Sequence, residues 1–280
     1  MNVAVRSPTH EAARNMERPF IYIAGLRRSG STVLSEALTA LPYSFIFREP
    51  RVAENRFSVH ASDAELFAEY GVDLPDFERR WWSKRKLIPE AFKNELLPRL
   101  LSLVGQIGVK EIRHDRWRRL FRLFPDMKIL LTARDPRDIY LSLHYKVKND
   151  NVKWSGIFSP TGEFCSEAVA EGLNDEFREQ LAMFETAACL KVKYEDFCTQ
   201  PVLFEQVKAF VGSAIGRVGE VGAFNSANPM RLNEYALHGN AITEQRINRW
   251  KTETDEKLLA EAQRTFDLMP DYCRFWEYAA

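Results

Sequence analysis

The chain has 280 residues, with 39 Lys and Arg balanced by 39 Asp and Glu, 45% hydrophobic and 28% charged positions. That length suits one large α/β domain or two small ones, and the composition is ordinary for a folded, water-soluble chain. Zero net charge argues against a general nucleic-acid or membrane-surface binder, although it leaves room for a local basic pocket.

Residues 1–18 are polar and mixed in charge and read as a flexible tail, with 19–280 as a single domain. No signal-peptide core, glycosylation acceptor or apolar run near the ~20 residues of a membrane span is present. Cys165, Cys189, Cys198 and Cys273 form no C-x-x-C pair and have no histidine at zinc-site spacing, so they read as reduced thiols. The expected location is the cytoplasm, and no metal is expected.

The first apolar, β-prone run is Pro19-Phe20-Ile21-Tyr22-Ile23-Ala24. Gly25-Leu26-Arg27-Arg28-Ser29-Gly30-Ser31-Thr32 follows, and then a helical pattern through Val33, Leu34, Ala37, Leu38 and Leu41. Strand, glycine-bounded loop and helix in that order gather backbone N–H groups and a helix N-terminus around one point, which suits an anion. The nucleotide-binding form of this loop is G-x-x-x-x-G-K-[ST]. Here Ser31 stands where the lysine should be, and the cations come earlier, at Arg27 and Arg28. Such a loop suits a doubly charged phosphate better than a triphosphate–magnesium unit.

A short strand, Tyr43 to Phe47, ends in Arg48-Glu49-Pro50-Arg51. Charged residues just past the carboxyl end of a strand lie where α/β proteins place their sites. Pro50 should hold Glu49 extended and give its carboxylate a defined direction. A helical insertion is expected at about 60–105. Within it, Arg79-Arg80-Trp81-Trp82-Ser83-Lys84-Arg85-Lys86 reads as an amphipathic stretch with packed tryptophans and solvated lysines. A nucleic-acid surface or a cover over a substrate pocket are the other readings.

Ile107 to Lys110 reads as a buried strand, followed by Glu111-Ile112-Arg113-His114. The next helix has Trp117, Leu120, Phe121 and Phe124 on one face and its arginines mostly on the other. Met127 to Ala133 is a continuous apolar run, as in a strand buried on both faces. Arg134 should emerge at its end, with Asp135 as N-cap, Pro136 at the first helical position and Ser142 further along. Arginine and serine there can converge on a second anion. Residues 148–162 read as loop, 164–188 as a long helix, and Cys189 to Phe197 as a strand ending in Tyr194-Glu195-Asp196. A helix is expected over Pro201–Val211, irregular chain over 212–245, and a last helix from Asp255.

Taken together, these motifs resemble the sulfotransferases that use 3′-phosphoadenosine 5′-phosphosulfate (PAPS). The resemblance rests on Arg28-Ser29-Gly30-Ser31-Thr32, on the R-D-P-R-D-x-x-x-S run from Arg134 to Ser142, and on Tyr194-Glu195-Asp196. Arg246 to Lys251 is similar to a tryptophan–basic stretch that closes over the nucleotide in that family. The resemblance implies a P-loop-like three-layer α/β fold with a central parallel sheet. It implies that Arg27, Arg28, Ser29, Gly30, Ser31 and Thr32 hold the 5′-phosphosulfate, that Arg134 and Ser142 hold the 3′-phosphate, and that Tyr194 lies near the adenine. Sulfonate would pass to a hydroxyl of a carbohydrate, lipid or small metabolite. Glu49 would be the base and Arg28 would stabilise the bridging oxygen, with lesser parts for Lys110 and Arg113. His114 is the competing base, since the phenol-type enzymes use a histidine after a later strand. Arg28 and the Arg48-Glu49-Pro50 context are closer to the carbohydrate and tyrosylprotein branches. The rival readings are a P-loop kinase or NTPase, which needs the missing lysine, and a non-enzymatic nucleic-acid or protein-binding module.

Overall fold

The structure, a computed structural model, describes residues 18–150, 156–215 and 246–279. Nearly all of the expected tail and most of the irregular 212–245 stretch lie outside the described residues, as do residues 151–155 of the expected loop.

Five strands form one parallel sheet: β1 (Ile21–Gly25), β2 (Phe45–Arg48), β3 (Ile107–Glu111), β4 (Lys128–Ala133) and β5 (Cys189–Lys193). Their spatial order is β2-β3-β1-β4-β5. The apolar runs are continuous because both faces are covered. Tyr22 and Ala24 belong to one core with Phe45, Phe47, Val109, Ile129 and Leu131, while Ile21 and Ile23 belong to another with Ile46, Leu130 and Val192.

The second core is closed by Leu34 and Ala37 of α1 (Ser31–Ala37), by Phe197 and by Phe204, Val207 and Val211. The first is closed by the helices between β2 and β3 and by the later helices. The result is a three-layer α/β/α fold, as expected.

Between β2 and β3 the chain forms α2 (Ala61–Ala68), α3 (Leu74–Trp81), a 3-10 segment (Trp82–Leu87), α4 (Ile88–Ala91), a π turn (Phe92–Leu96) and α5 (Leu97–Leu101). This is the helical insertion. Trp81 packs on the core, and its indole N–H donates to Glu95 at 3.1 Å. Trp82 does not pack as expected: it is 53% exposed, with the Arg85 guanidinium over its ring. The helix ends at Trp81 and the tighter 3-10 segment turns the next residue outward.

The remaining helices among the described residues are α6 (Trp117–Leu123), α7 (Pro136–Asp150), α8 (Ser166–Thr186), α9 (Tyr194–Thr199), α10 (Pro201–Val211), α11 (Glu256–Asp267) and α12 (Pro270–Trp276), with a 3-10 turn at Arg249–Lys251. The helical starts follow the local chemistry. Asp135 accepts the Arg137 backbone N–H at 2.9 Å at the head of α7, and Asp255 accepts from Leu258 at 3.1 Å at the head of α11. One boundary differs from the sequence reading: Tyr194-Glu195-Asp196 is the first turn of α9, and β5 stops at Lys193. Two acids suit a helix N-terminus, and Glu195 is drawn to β4 by accepting the Asp135 N–H at 2.9 Å. None of the described helices is long and apolar enough to cross a membrane.

The topology fixes where a ligand goes. The connection after β1 leads toward β2, and that after β4 leads the opposite way, toward β5. Crevices at such reversals, past the carboxyl ends of the strands, are where open α/β sheets bind ligands.

Candidate active site

One cavity opens at the carboxyl ends of the strands, and every strand of the sheet contributes to it through the residues that follow. The β1 loop supplies Arg27, Arg28, Gly30, Ser31, Thr32 and Val33. Glu49 and Arg51 follow β2, Lys110 is the last residue but one of β3 with Ile112 and Arg113 after the strand, Arg134 follows β4, and Tyr194 follows β5. Arg246 comes from the C-terminal stretch. Among the described lining residues seven are Arg or Lys and only Glu49 is acidic, so the cavity suits an anion.

The loop conformation depends on its glycines. Gly30 has φ +84°, and a Cβ there would lie 2.2 Å from the Tyr194 ring. A Cβ on Gly25 would lie 2.4 Å from that of Ser31. Gly30→Ala is therefore expected to lower stability by roughly 1–3 kcal/mol, the scale of a residue held in a disfavoured backbone region. An unchanged denaturation midpoint would show that the loop has another accessible shape. Arg28 also has positive φ, +64°, without being glycine. Such strain is typical of functional turns.

Within the loop the side chains divide. Ser31 and Thr32 line the cavity, but Ser29 turns inward. Its hydroxyl donates to Leu26 O at 2.6 Å and lies 2.6 Å from the Thr132 hydroxyl, joining the loop to β4. Arg27 is held from behind by Glu176 of α8. Its Nε is 2.5 Å from one carboxylate oxygen, and its backbone N–H donates to the other at 3.1 Å. Burial pushes the Glu176 carboxyl up to about 7, against the opposing pull of Arg27.

Arg28 donates from Nε to the Ser142 hydroxyl of α7 at 2.8 Å. Ser142 does not itself line the cavity; it meets it through Arg28. The two anion positions read from sequence thus share a residue.

Arg134 is buried, with its guanidinium 3.3 Å from Asp138 and 4.9 Å from the Tyr194 ring centre. The Tyr272 hydroxyl accepts the Arg134 N–H at 3.1 Å and lies 2.9 Å from its carbonyl, which fixes the backbone. Arg134 also donates to the Arg246 carbonyl, and Asp138 accepts the Trp250 N–H at 3.1 Å. These two bonds lay the 246–250 segment over the β4 end. Arg137 locks it there, with the Trp250 ring 3.8 Å and the Phe266 ring 4.2 Å from its guanidinium carbon.

Glu49 differs from expectation in its backbone. It has φ +53° and is not in the extended region that Pro50 was expected to impose. Tertiary bonds override the local preference. The Glu49 N–H donates to the Lys110 carbonyl at 2.6 Å, and the Arg51 N–H donates to the Glu111 carboxyl at 2.8 Å. The carboxylate still has a fixed direction, toward Lys110 Nζ at 2.5 Å. Burial raises its proton affinity, but the Lys110 charge and hydrogen bond outweigh that and hold the carboxyl below its usual range. Behind the pair, burial pushes Glu111 up to about 8.

His114 is not among the lining residues. It is buried, with Nε2 3.1 Å from the Gly25 carbonyl and Nδ1 3.0 Å from the Tyr22 hydroxyl. A carbonyl only accepts, so Nε2 carries the proton and Nδ1 takes the tyrosine hydrogen bond. Burial pushes this imidazole down to about 4. Both nitrogens are occupied in joining β1 to the β3 end.

A family model described as "Sulfotransferase family" matches residues 19–212. The chain belongs to the sulfotransferase family.

Solved structures agree on the fold. The sulfotransferase domain from the curacin biosynthetic pathway superposes with TM-score 0.61 at 15% identity, covering 94% of this chain and 98% of that one. The sulfotransferase domain of the Synechococcus PCC 7002 olefin synthase gives 0.58 at 17%, covering 91% and 94%. Mouse sulfotransferase SULT7A1, complexed with PAP, gives 0.52 at 14%, covering 93% and 89%. No curated protein matches this chain significantly in sequence. The chain is thus a sulfonate-transferring enzyme with a P-loop-like α/β fold.

Among the residues of this sulfotransferase site, sequence reasoning gave Arg51 a place in the charged run after β2 but no role, and missed Glu176 and Asp138's hold on Arg134. Asp138 left a signal, as an i,i+4 partner on a helix that starts at the strand tip. Glu176 is one acid among several on a long helix.

Proposed function

We propose that this sulfotransferase passes the sulfonate of PAPS to a hydroxyl of an acceptor, with Glu49 as the base. The observation that supports it best is the single cavity joining the β1 loop, Arg134 and Tyr194 on one side to the Glu49–Lys110 pair on the other. The donor set fits PAPS. A strained loop with Ser31, Thr32 and Arg28 suits a phosphosulfate, and Arg134 with Tyr194 suits a 3′-phosphate next to an aromatic-packed base. Bound PAPS supplies an activated sulfonate, which bonds to the acceptor oxygen as its bond to the bridging oxygen breaks and PAP departs.

The chain's residues do the rest. Glu49 takes the hydroxyl proton, and Lys110 keeps that carboxylate ionised and aimed. Arg28 balances charge growing on the bridging oxygen, and Ser142 steadies Arg28. Positioning and fixed charge carry most of the rate, as in phosphoryl transfer. The cytoplasm remains the expected place of action.

Nucleotide choice tests this reading. PAP should raise the melting temperature by mass action, and Mg-ATP far less, because Ser31 replaces the phosphate-binding lysine. Equal stabilisation by the two would favour a nucleoside-triphosphate enzyme instead.

A further inference from the structure

The pairing of β2 with β3 ends at Arg48 beside Lys110. One more ladder bond forms beyond it, from the Glu49 N–H to the Lys110 carbonyl at 2.6 Å. Bonds in a parallel ladder are evenly spaced, so the next donor in line is the Arg51 N–H and the next acceptor is the Ile112 carbonyl. Pro50 between them has no N–H to offer. The Arg51 N–H turns instead to the Glu111 side chain, at 2.8 Å. The chain leaves the sheet there through two left-handed residues, Glu49 with φ +53° and Arg51 with φ +59°. Neither is glycine, so each conformation is costly and must be held by its surroundings. A buried carboxyl thus stands in for a strand carbonyl at the point where β2 peels away.

We infer that Glu111 is a positioning residue: by holding the Arg51 N–H, its carboxyl shapes the turn that aims Glu49. This rests on the proposed reading of Glu49 as base and deepens it. Lys110 fixes where the Glu49 carboxylate points, and Glu111 fixes the backbone from which it reaches.

The surroundings of Glu111 suit a neutral carboxyl. Glu49 and Arg51 face it from the turn, Glu54 from the 3-10 segment Val52–Glu54, Lys110 from its own strand and Tyr22 from β1. Asp115 and Glu179 add negative charge at Tyr22, whose hydroxyl is 3.0 Å from His114. Burial outweighs the Arg51 bond and the Lys110 charge, Glu49 and Glu54 push the same way, and the carboxyl is pushed up to about 8. Glu111 therefore keeps its proton at neutral pH. Its carbonyl oxygen can accept the Arg51 N–H without setting a second negative charge beside Glu49. Glutamine offers the same shape and the same acceptor.

The test compares Glu111→Gln, which keeps the acceptor, with Glu111→Leu, which removes it. Carbon-13 carboxyl resonances of the full chain are titrated, with Glu49 assigned by its absence in Glu49→Gln. The Glu49 carboxyl should titrate below its usual range in the wild type and in Glu111→Gln. In Glu111→Leu it should move up toward that range as the pair with Lys110 loosens. Turnover is then measured with whichever glycan, lipid or small alcohol takes up sulfonate. Glu111→Leu should cut kcat by about ten- to a hundred-fold, the scale of a misplaced reacting group, and Glu111→Gln by no more than about three-fold, with PAP affinity within about two-fold in both.

Stability gives a reading that needs no acceptor. An unfolded glutamate ionises near 4.5 and Glu111 near 8, so between those values the native state holds the extra proton and wild-type stability falls as pH rises. Glu111→Gln has no such proton, so its melting temperature should gain on the wild type across that window and run parallel above it. Should Glu111→Leu not fold, Glu111→Asp takes its place, its carboxyl one carbon short of the Arg51 N–H. An unchanged Glu49 titration in the variant lacking the contact, a loss in Glu111→Gln as large as in that variant, or a melting gap that does not change with pH would overturn the inference. A shifted Glu49 titration with full turnover in Glu49→Gln would instead overturn the base assignment and leave the role of Glu111 in the turn standing.

Discussion

Glu49→Gln is expected to cut kcat by about 10²–10⁴-fold, the usual contribution of a general base, with PAP affinity nearly unchanged. The amide keeps the side-chain shape and can still accept from Lys110, so the loss reports the missing base and not a collapsed turn. The pH profile gives a second reading. The Glu49 carboxyl is held below its usual range by Lys110, so its base form is complete throughout neutral pH. The rate should be flat there and fall only as pH drops into and below the carboxylate range. An ordinary histidine base would instead give a rate rising through neutral pH. His114→Asn should leave turnover largely intact in protein that still binds PAP, because both imidazole nitrogens are tied to Gly25 and Tyr22. Abolished turnover in His114→Asn with a mild Glu49→Gln would reverse the assignment.

Arg134→Ala should weaken PAP binding by about 2–5 kcal/mol, the range for truncating one partner of a buried charged contact. That is roughly 30- to 4,000-fold in Kd. An analogue lacking the 3′-phosphate should lose little. The variant leaves Asp138 buried, although it still accepts the Trp250 N–H. Burial already raises the Asp138 carboxyl above its usual range despite Arg134, so without the arginine it should take up a proton and not stay charged. A melting curve will separate that cost from lost binding. Equal weakening of both ligands would mean that Arg134 only supports the 246–250 segment.

The parts of the site that could be read from sequence are those set by local chemistry. Gly25 and Gly30 announce a turn because only a residue without a Cβ fits beside Ser31 and Tyr194. Arg134 was legible because an apolar run, a capping Asp135 and Pro136 together fix where β4 ends and α7 begins. The parallel sheet was legible because β1 and β4 are nearly continuous apolar runs, buried on both faces.

What escaped is set by contacts distant in sequence. The conformation of Glu49 comes from Lys110 and Glu111, about sixty positions on, and defeats the rule for residues before proline. The hold of Glu176 on Arg27 spans 149 positions. The burial of His114 against β1 could be seen only once its partners Gly25 and Tyr22 were visible. The outward turn of Trp82 arises from a change of helix type that its composition does not signal.

The most direct test of the central claim is transfer of label from [³⁵S]PAPS to a panel of glycans, lipids and small alcohols. The account predicts labelled product with at least one acceptor, lost in Glu49→Gln at saturating PAPS although that variant still binds PAP. Label that remains in PAPS across the panel, in a protein that binds PAP no better than Mg-ATP, would contradict it.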